Sequence, residues 1–283
     1  MKDQVPSIQA RLKALSKQWN KSHQLTLLRY FQERLLYRLS RSAYREFFVL
    51  KGGVFIYALE REASRPTLDL DMLARQLPAE TSRIQAIFRE IAAMECPDGV
   101  RFQPGELETM AIQDNEPYRG IRLKLEGSLG KIRQRLQIDI GFGDVIIPAP
   151  VSISFPTLLD MECPELWAYS VESVIAEKFE AMIDLAGINT RMKDFYDVYR
   201  LLRHHTVHPE TLAQAVERTL KIRSTPTPSE PILFDESFAQ DPDRLNQWSA
   251  FLRKSKLDIK LSFAEVWETL KEHLQPIYNQ RMH

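Results

Sequence analysis

Two aspartates stand one residue apart in Thr67-Leu68-Asp69-Leu70-Asp71-Met72, a stretch in which acid and apolar residues alternate. In an extended strand successive side chains point to opposite faces, so Leu68, Leu70 and Met72 take one face and Asp69 and Asp71 the other. At roughly 3.3 Å per residue the two aspartate Cα atoms lie about 6.6 Å apart. Like charges at that spacing repel, and a divalent cation relieves the repulsion. Paired carboxylates suit magnesium, a hard ion that takes oxygen ligands and shares its shell with substrate phosphates. The plainer reading is a solvated strand face with two acids. A second alternating stretch, Arg135-Leu136-Gln137-Ile138-Asp139-Ile140, places Asp139 on the polar face of another strand. Three acids on adjacent strands would hold two metal ions that activate an attacking hydroxyl and stabilise a leaving pyrophosphate. Adjacency of these strands is an inference, since nothing local in the sequence dictates it.

Lys51-Gly52-Gly53 separates an apolar run, residues 47–50, from the helix-like residues 54–62. Glycines at a strand-to-helix junction let backbone approach a ligand closely, and free N–H groups at a helix start favour an anion. An ordinary tight turn explains the same pair. Further along, Val171, Val174, Ile175, Phe179 and Met182 form an apolar helical stripe with Lys178 inside it. A lysine so placed either snorkels to solvent or has an anionic partner. Asp194 and Asp197 lie near the start of the next helix, where acids also favour the macrodipole. His204 and His205 have no histidine or cysteine at zinc spacing, which makes them surface residues. Arg200, Arg203, Arg218, Lys221 and Arg223 form a loose basic run, either a solvated face or an RNA-backbone contact.

These residues need elements to position them. Amphipathic helices over residues 6–45 carry Ile8, Leu12, Leu15 and Trp19, then Leu27, Leu28, Phe31, Leu35 and Leu39, at helical spacing. Mixed α/β follows: the strand at 47–50, its helix, the strand bearing Asp69 and Asp71, a helix over 82–94, and strand-like sequence over 100–155. Turn signals stand at Pro104-Gly105, Glu116-Pro117 and Gly141/Gly143. From Val171 onward the pattern is helical, and the proline-rich residues 225–231 read as a linker. The expected fold is therefore α/β with a mixed sheet, followed by a helical C-terminal region. As domains, residues 1–160 would hold the N-terminal helices and α/β core, and residues 161–283 the helical part.

Composition narrows the class. Of 283 residues, 44% are hydrophobic and 27% charged, which is globular rather than disordered. Lys plus Arg and Asp plus Glu both number 38, for zero formal net charge. That excludes a nucleic-acid binder held by bulk charge, not one held by a local patch. Cys96 and Cys163 match no metal spacing and read as reduced thiols of a cytoplasmic protein. No apolar run is long enough to span a bilayer, so no membrane partner is expected.

The glycine turn, short helix and Asp-x-Asp strand together resemble the entry to the DNA polymerase β-type nucleotidyltransferase fold. Within that superfamily the chain is similar to the AbiEii/AbiGii toxin family, the toxins of type IV toxin–antitoxin pairs. FVLKGGVFIYAL, RPTLDLDML, IDIGFGD, ESVIAEKFEAM and RMKDFYDVYRLL carry the likeness, over roughly residues 47–202. Gly53 departs from the pattern, standing where many members of the superfamily have serine, so backbone amides must replace that hydroxyl. The resemblance implies transfer of a nucleoside monophosphate from an NTP to RNA, at the 3′ end of tRNA, with translation blocked as the result. It implies Asp69, Asp71, Lys178 and Asp194 as catalytic residues, with Asp197 the alternative to Asp194. It further implies magnesium on Asp69 and Asp71, with Asp139 as a third acid, and nucleotide contacts from Lys51, Gly52, Gly53 and Thr67. Thr67 matches a Ser/Thr position that contacts nucleotide or is modified when the toxin is held inactive. Lys193 and Arg191 are candidate phosphate or RNA contacts. The implied partner is a cognate antitoxin, a winged-helix DNA-binding protein. Two rivals keep the same residues: an NTP-binding protein without turnover, and a phosphotransferase that moves a γ-phosphate onto protein.

Overall fold

The computed structural model describes residues 4–113, 119–257 and 259–281. The Glu116-Pro117 turn signal lies outside them. The chain divides into two compact units, Met1–Gly143 with Val151–Ala168, and Asp144–Pro150 with Tyr169–His283.

The first unit is a mixed α/β layer structure. Helices α1 (Val5–Gln18) and α2 (His23–Arg41) lead into β1 (Phe48–Lys51), α3 (Gly52–Glu60), β2 (Asp69–Ala74) and α4 (Thr81–Ala93). Six more strands follow: β3 (Val100–Phe102), β4 (Glu108–Gln113), β5 (Arg119–Leu129), β6 (Ile132–Phe142), β7 (Val151–Ser154) and β8 (Glu165–Ala168). They make an eight-stranded sheet in the order β3-β5-β6-β2-β1-β8-β7, with β4 pairing the same strand β5 further along its length. β2 runs parallel to β6 and β1 parallel to β8, while β1–β2 and β5–β6 are antiparallel.

Alternation assigns the two faces. Leu50, Met72, Ile140 and Ile121 stand in register across four strands and are buried. This apolar face packs against α2 and α4, where Phe48 meets Phe88 edge-on at 5.3 Å and Phe31 meets Phe102 at 6.3 Å. Gly127 makes the α2 contact close: a Cβ there would stand 2.8 Å from the Phe31 ring. Leu68 breaks the expected pattern. It is 64% exposed, because β2 begins only at Asp69 and the Leu68 carbonyl accepts a hydrogen bond from the Gln32 side chain at 2.9 Å instead of joining the ladder.

The second unit is helical: α5 (Val171–Leu185), α6 (Met192–His204), α7 (Pro209–Arg223), α8 (Glu236–Gln240), α9 (Pro242–Ser255) and α10 (Phe263–Arg281). Ser170 caps α5, its Oγ accepting from the Ser173 N–H at 3.1 Å. Phe195 is the hub of an aromatic core, 5.4 Å from Phe263 and 5.9 Å from Phe238. The segment Asp144–Pro150 belongs to this unit through Ile147. Its carbonyl accepts from the Ser170 and Ser173 hydroxyls, and its N–H donates to Ser173 Oγ. Residues 225–231 are an internal connection of this unit rather than a linker between domains. The hydroxyl of buried Thr225 donates to Glu180 Oε1 at 2.5 Å, so this stretch is pinned to α5.

Candidate active site

The polar face of the sheet is organised in rows. Lys51 is paired with Asp71, Asp71 with Asp139, and Asp139 with Arg122, so these four residues stand abreast on β1, β2, β6 and β5. Neighbouring strands lie about 4.8 Å apart, which puts the two acids side by side between two cations. One step along the strands a second row runs Asp69, Gln137, Lys124 and Glu108. The parallel pairing of β2 with β6 thus brings Asp69, Asp71 and Asp139 onto one patch of sheet.

The three acids are not equivalent. Arg122 grips Asp139 with two hydrogen bonds, Nε to Oδ1 and Nη2 to Oδ2, each 2.8 Å, and Gln137 donates to Oδ2 as well at 3.2 Å. A fork of this kind is both strong and orienting. Accordingly, Asp139 is held and charge-balanced by protein. Among the described residues no three His, Cys, Asp or Glu side chains converge as a ready-made metal cage. Asp69 and Asp71, half-buried and two residues apart on one face, have protein contacts of their own and form a hard-oxygen pair of the kind magnesium shares with phosphates. The donor chemistry at these two residues therefore fits that ion.

The glycine turn lies directly against this patch. Gly52 has φ +66°, and a Cβ there would stand 2.2 Å from Asp71 Oδ2. Both conditions require glycine: the left-handed backbone and the absence of a side chain between the turn and the carboxylate. At Gly53 a Cβ would stand 2.6 Å from the Thr67 hydroxyl oxygen, and Thr67 is buried. Residues Lys51, Gly52, Gly53, Thr67, Asp69, Asp71 and Asp139 are in this way assembled by one β1–α3–β2 unit and the strand beside it. Arg122 was not legible as a member, although the alternation of Arg-Gly-Ile-Arg-Leu-Lys-Leu puts it on a polar face.

Lys178 and Asp194 belong to the second unit. The Lys178 ammonium is 2.6 Å from Asp194 Oδ1 and 2.8 Å from Asp197 Oδ2, and Arg191 Nε is 2.7 Å from Asp194 Oδ2. Lys178 has 12% of its side chain exposed and each aspartate 1%. The lysine in the apolar stripe of α5 therefore faces α6 and its acids. Burial alone would raise the Asp194 carboxyl, but Lys178 and Arg191 outweigh it and hold the group below the usual carboxylate range. An acid so held is a weak proton acceptor, which suits orienting Lys178 and does not suit deprotonating a hydroxyl. Asp194 and Asp197 both bind Lys178, so they share that work. Arg223, part of the loose basic run, is engaged as well: it pairs with Asp144 at 3.0 Å, Glu177 at 3.4 Å and Glu180 at 2.7 Å.

The class of the protein, a nucleotidyltransferase, follows from its family, and the strand, double-glycine turn and helix set against paired aspartates accord with it. The chain belongs to the nucleotidyl transferase AbiEii toxin family of type IV toxin–antitoxin systems, whose sequence profile matches residues 34–270. Membership in such a family implies an antitoxin partner. Among solved structures, a candidate nucleotidyltransferase from H. pylori is 18% identical, with a TM-score of 0.50, covering 92% of this chain and 97% of that one. This is a likeness of fold. The H. pylori protein JHP933 has a TM-score of 0.48 at 17% identity, covering 92% of this chain and 94% of its own. No curated protein matches the chain. Among the described residues no helix is long and apolar enough to cross a membrane.

Proposed function

We propose that this toxin is a magnesium-dependent enzyme of the cytoplasm that transfers a nucleoside monophosphate from an NTP to the 3′ end of tRNA. The observation that carries the reading is the close fit of Gly52 against Asp71, within a row where Asp71 and Asp139 stand between Lys51 and Arg122. A phosphate chain lying along a turn without side chains is thereby within reach of an acid pair suited to a divalent ion.

Asp69 and Asp71 hold the ion, which when bound supplies charge neutralisation at the reacting phosphate. Lys51 and the amides of Gly52 and Gly53 bind the triphosphate, and Thr67 supports the turn from below. The 3′-hydroxyl oxygen of the acceptor attacks the α-phosphorus, the bond to the β-phosphate oxygen breaks, pyrophosphate leaves and the hydroxyl proton passes to solvent. Asp139, fixed by Arg122, is the third acid and shapes the field at the attacking oxygen. In the second unit Lys178, oriented by Asp194 and Asp197, is the buried cation that the resemblance names as catalytic. The partner is a winged-helix antitoxin, and the outcome of the reaction is tRNA that cannot be aminoacylated.

Incubation of the protein with total RNA and NTPs labelled at either the α or the γ position tests the reading. The α label should enter RNA in a metal-dependent manner, and sequencing of small-RNA 3′ ends should find added nucleotides on tRNA. A γ label on protein would identify a phosphotransferase instead. No incorporation of either label would leave an NTP-binding protein without turnover.

A further inference from the structure

A cavity of about 40 Å³ opens in the first unit, walled by Trp19, Lys21, Arg29, Tyr57, Arg61 and Arg65. Glu62 is the one acid among its described lining residues. Arg29 forms the cavity's buried wall, with its guanidinium 3.8 Å from the centroid of the Tyr57 ring. Among the described residues its side chain donates one hydrogen bond, to the neutral Gln32 Oε1 at 3.2 Å, and forms no ion pair. Burial pushes the Arg29 pKa down to about 10, against the opposing pull of Tyr57 and Glu33, so the group stays charged at neutral pH. A buried cation that no carboxylate touches is costly to keep, and an anion in the cavity would offset that cost. On the rim, Arg61 ends α3 with φ +54° and ψ −128°, a strained backbone for a non-glycine residue that Ala186 also adopts at the end of α5.

Size and position narrow the ligand. A cleft of this size has room for a group as small as a phosphate, and its cationic side chains favour an anion. Lys51 precedes α3 and Arg61 follows it, about 15 Å apart at 1.5 Å per residue. Two phosphate anchors separated by a helix length suit a polymer with repeating phosphates better than one triphosphate.

We propose that the Arg29–Arg61 cavity seats a phosphodiester group of the acceptor RNA strand, an anchor separate from the glycine turn. The inference rests on RNA being the acceptor. Arg29 supplies a forked donor fixed by Tyr57, while Lys21, Arg61 and Arg65 supply the surrounding positive field.

The test measures binding of a labelled single-stranded oligoribonucleotide, and of each NTP, to the full chain and to Arg61→Gln and Arg29→Gln over a range of salt. Both variants should weaken oligonucleotide binding several-fold and flatten its log–log salt dependence by roughly 0.7 per lost phosphate contact. NTP affinity should stay unchanged. Oligonucleotide affinity and slope equal to the unmodified protein's would overturn the inference, as would an equal loss of NTP affinity, which would make the cavity part of the nucleotide's own site. Arg61 is exposed, so Arg61→Gln decides the matter alone if Arg29→Gln fails to fold. An unmodified protein that binds NTP and no oligonucleotide would instead sink the RNA reading itself, and the cavity assignment with it.

Discussion

Lys178 shows how much a single buried charge commits its neighbours. Its ammonium serves two aspartates that are both almost fully buried, so its removal takes an ion pair from each of them. Breaking a buried ion pair from one side typically costs about 3–5 kcal/mol, and Lys178→Ala should lose stability on that scale in urea unfolding. Adding Asp197→Asn to that variant removes one of the two buried acids that faced the ammonium with little change of shape, and should recover part of the loss. A Lys178→Ala protein as stable as the unmodified one would show that the triad is not buried as described. Loss of nucleotidyl transfer in Lys178→Ala becomes evidence for chemistry only beside this control. The sequence supported this site unevenly. The stripe Val171, Val174, Ile175, Phe179 and Met182 put Lys178 on the apolar face, because helical periodicity is local, and left open whether it snorkels to solvent or meets an acid. Its choice of partner depends on how α5 and α6 pack, which periodicity does not contain.

At the scale of elements, the β1–α3 junction carries both a conformational and a spatial demand on one residue. Gly52→Ala puts a methyl group where Asp71 Oδ2 lies and also opposes a left-handed backbone, worth roughly 1–2 kcal/mol by itself. Gly143 offers the matched control, with φ +85° and open space around its Cβ position. Both alanine variants should lose stability from backbone strain, Gly52→Ala more because of the added clash, while only Gly52→Ala should lose label incorporation, as read by denaturant midpoints beside the transfer assay. Helix α2 imposes a different constraint. Buried over most of its circumference, it must bury its charged residues too, and Glu33 is one of them. Burial raises its carboxyl to about 7, against the opposing pull of Arg34 and the Leu158 N–H. An acid whose pKa is higher in the fold than in the unfolded chain ionises first in the unfolded chain. Stability from this group should therefore fall as pH rises from about 4.5 to about 7 and stay level above that. Glu33→Gln should flatten the urea-midpoint profile over that window; parallel profiles for the two proteins would contradict the assignment.

For the molecule as a whole, strands declared themselves locally and their neighbours did not. The alternations at 67–72 and 135–140 marked two polar faces with acids, but their adjacency follows from β2 running parallel to β6, a connection that passes through α4 and three strands. The segment Asp144–Pro150 was invisible for a related reason: too short to show periodicity, it is tied to the second unit by Ser170, Ser173 and Arg223. Within the first unit cohesion comes from apolar packing and buried ion pairs such as Arg38 with Asp98, 2.7 Å apart, and no three metal-binding side chains cluster among the described residues. A structural metal site is closed by its protein ligands and contributes directly to folding free energy. An ion held by Asp69 and Asp71 and completed by phosphates is not closed in that way, so its removal should separate activity from stability. Chelation with EDTA should abolish α-label incorporation, added magnesium should restore it, and the unfolding midpoint without nucleotide should not move. A midpoint that falls on chelation would place a metal in the architecture of the fold, and would require ligands beyond this aspartate pair.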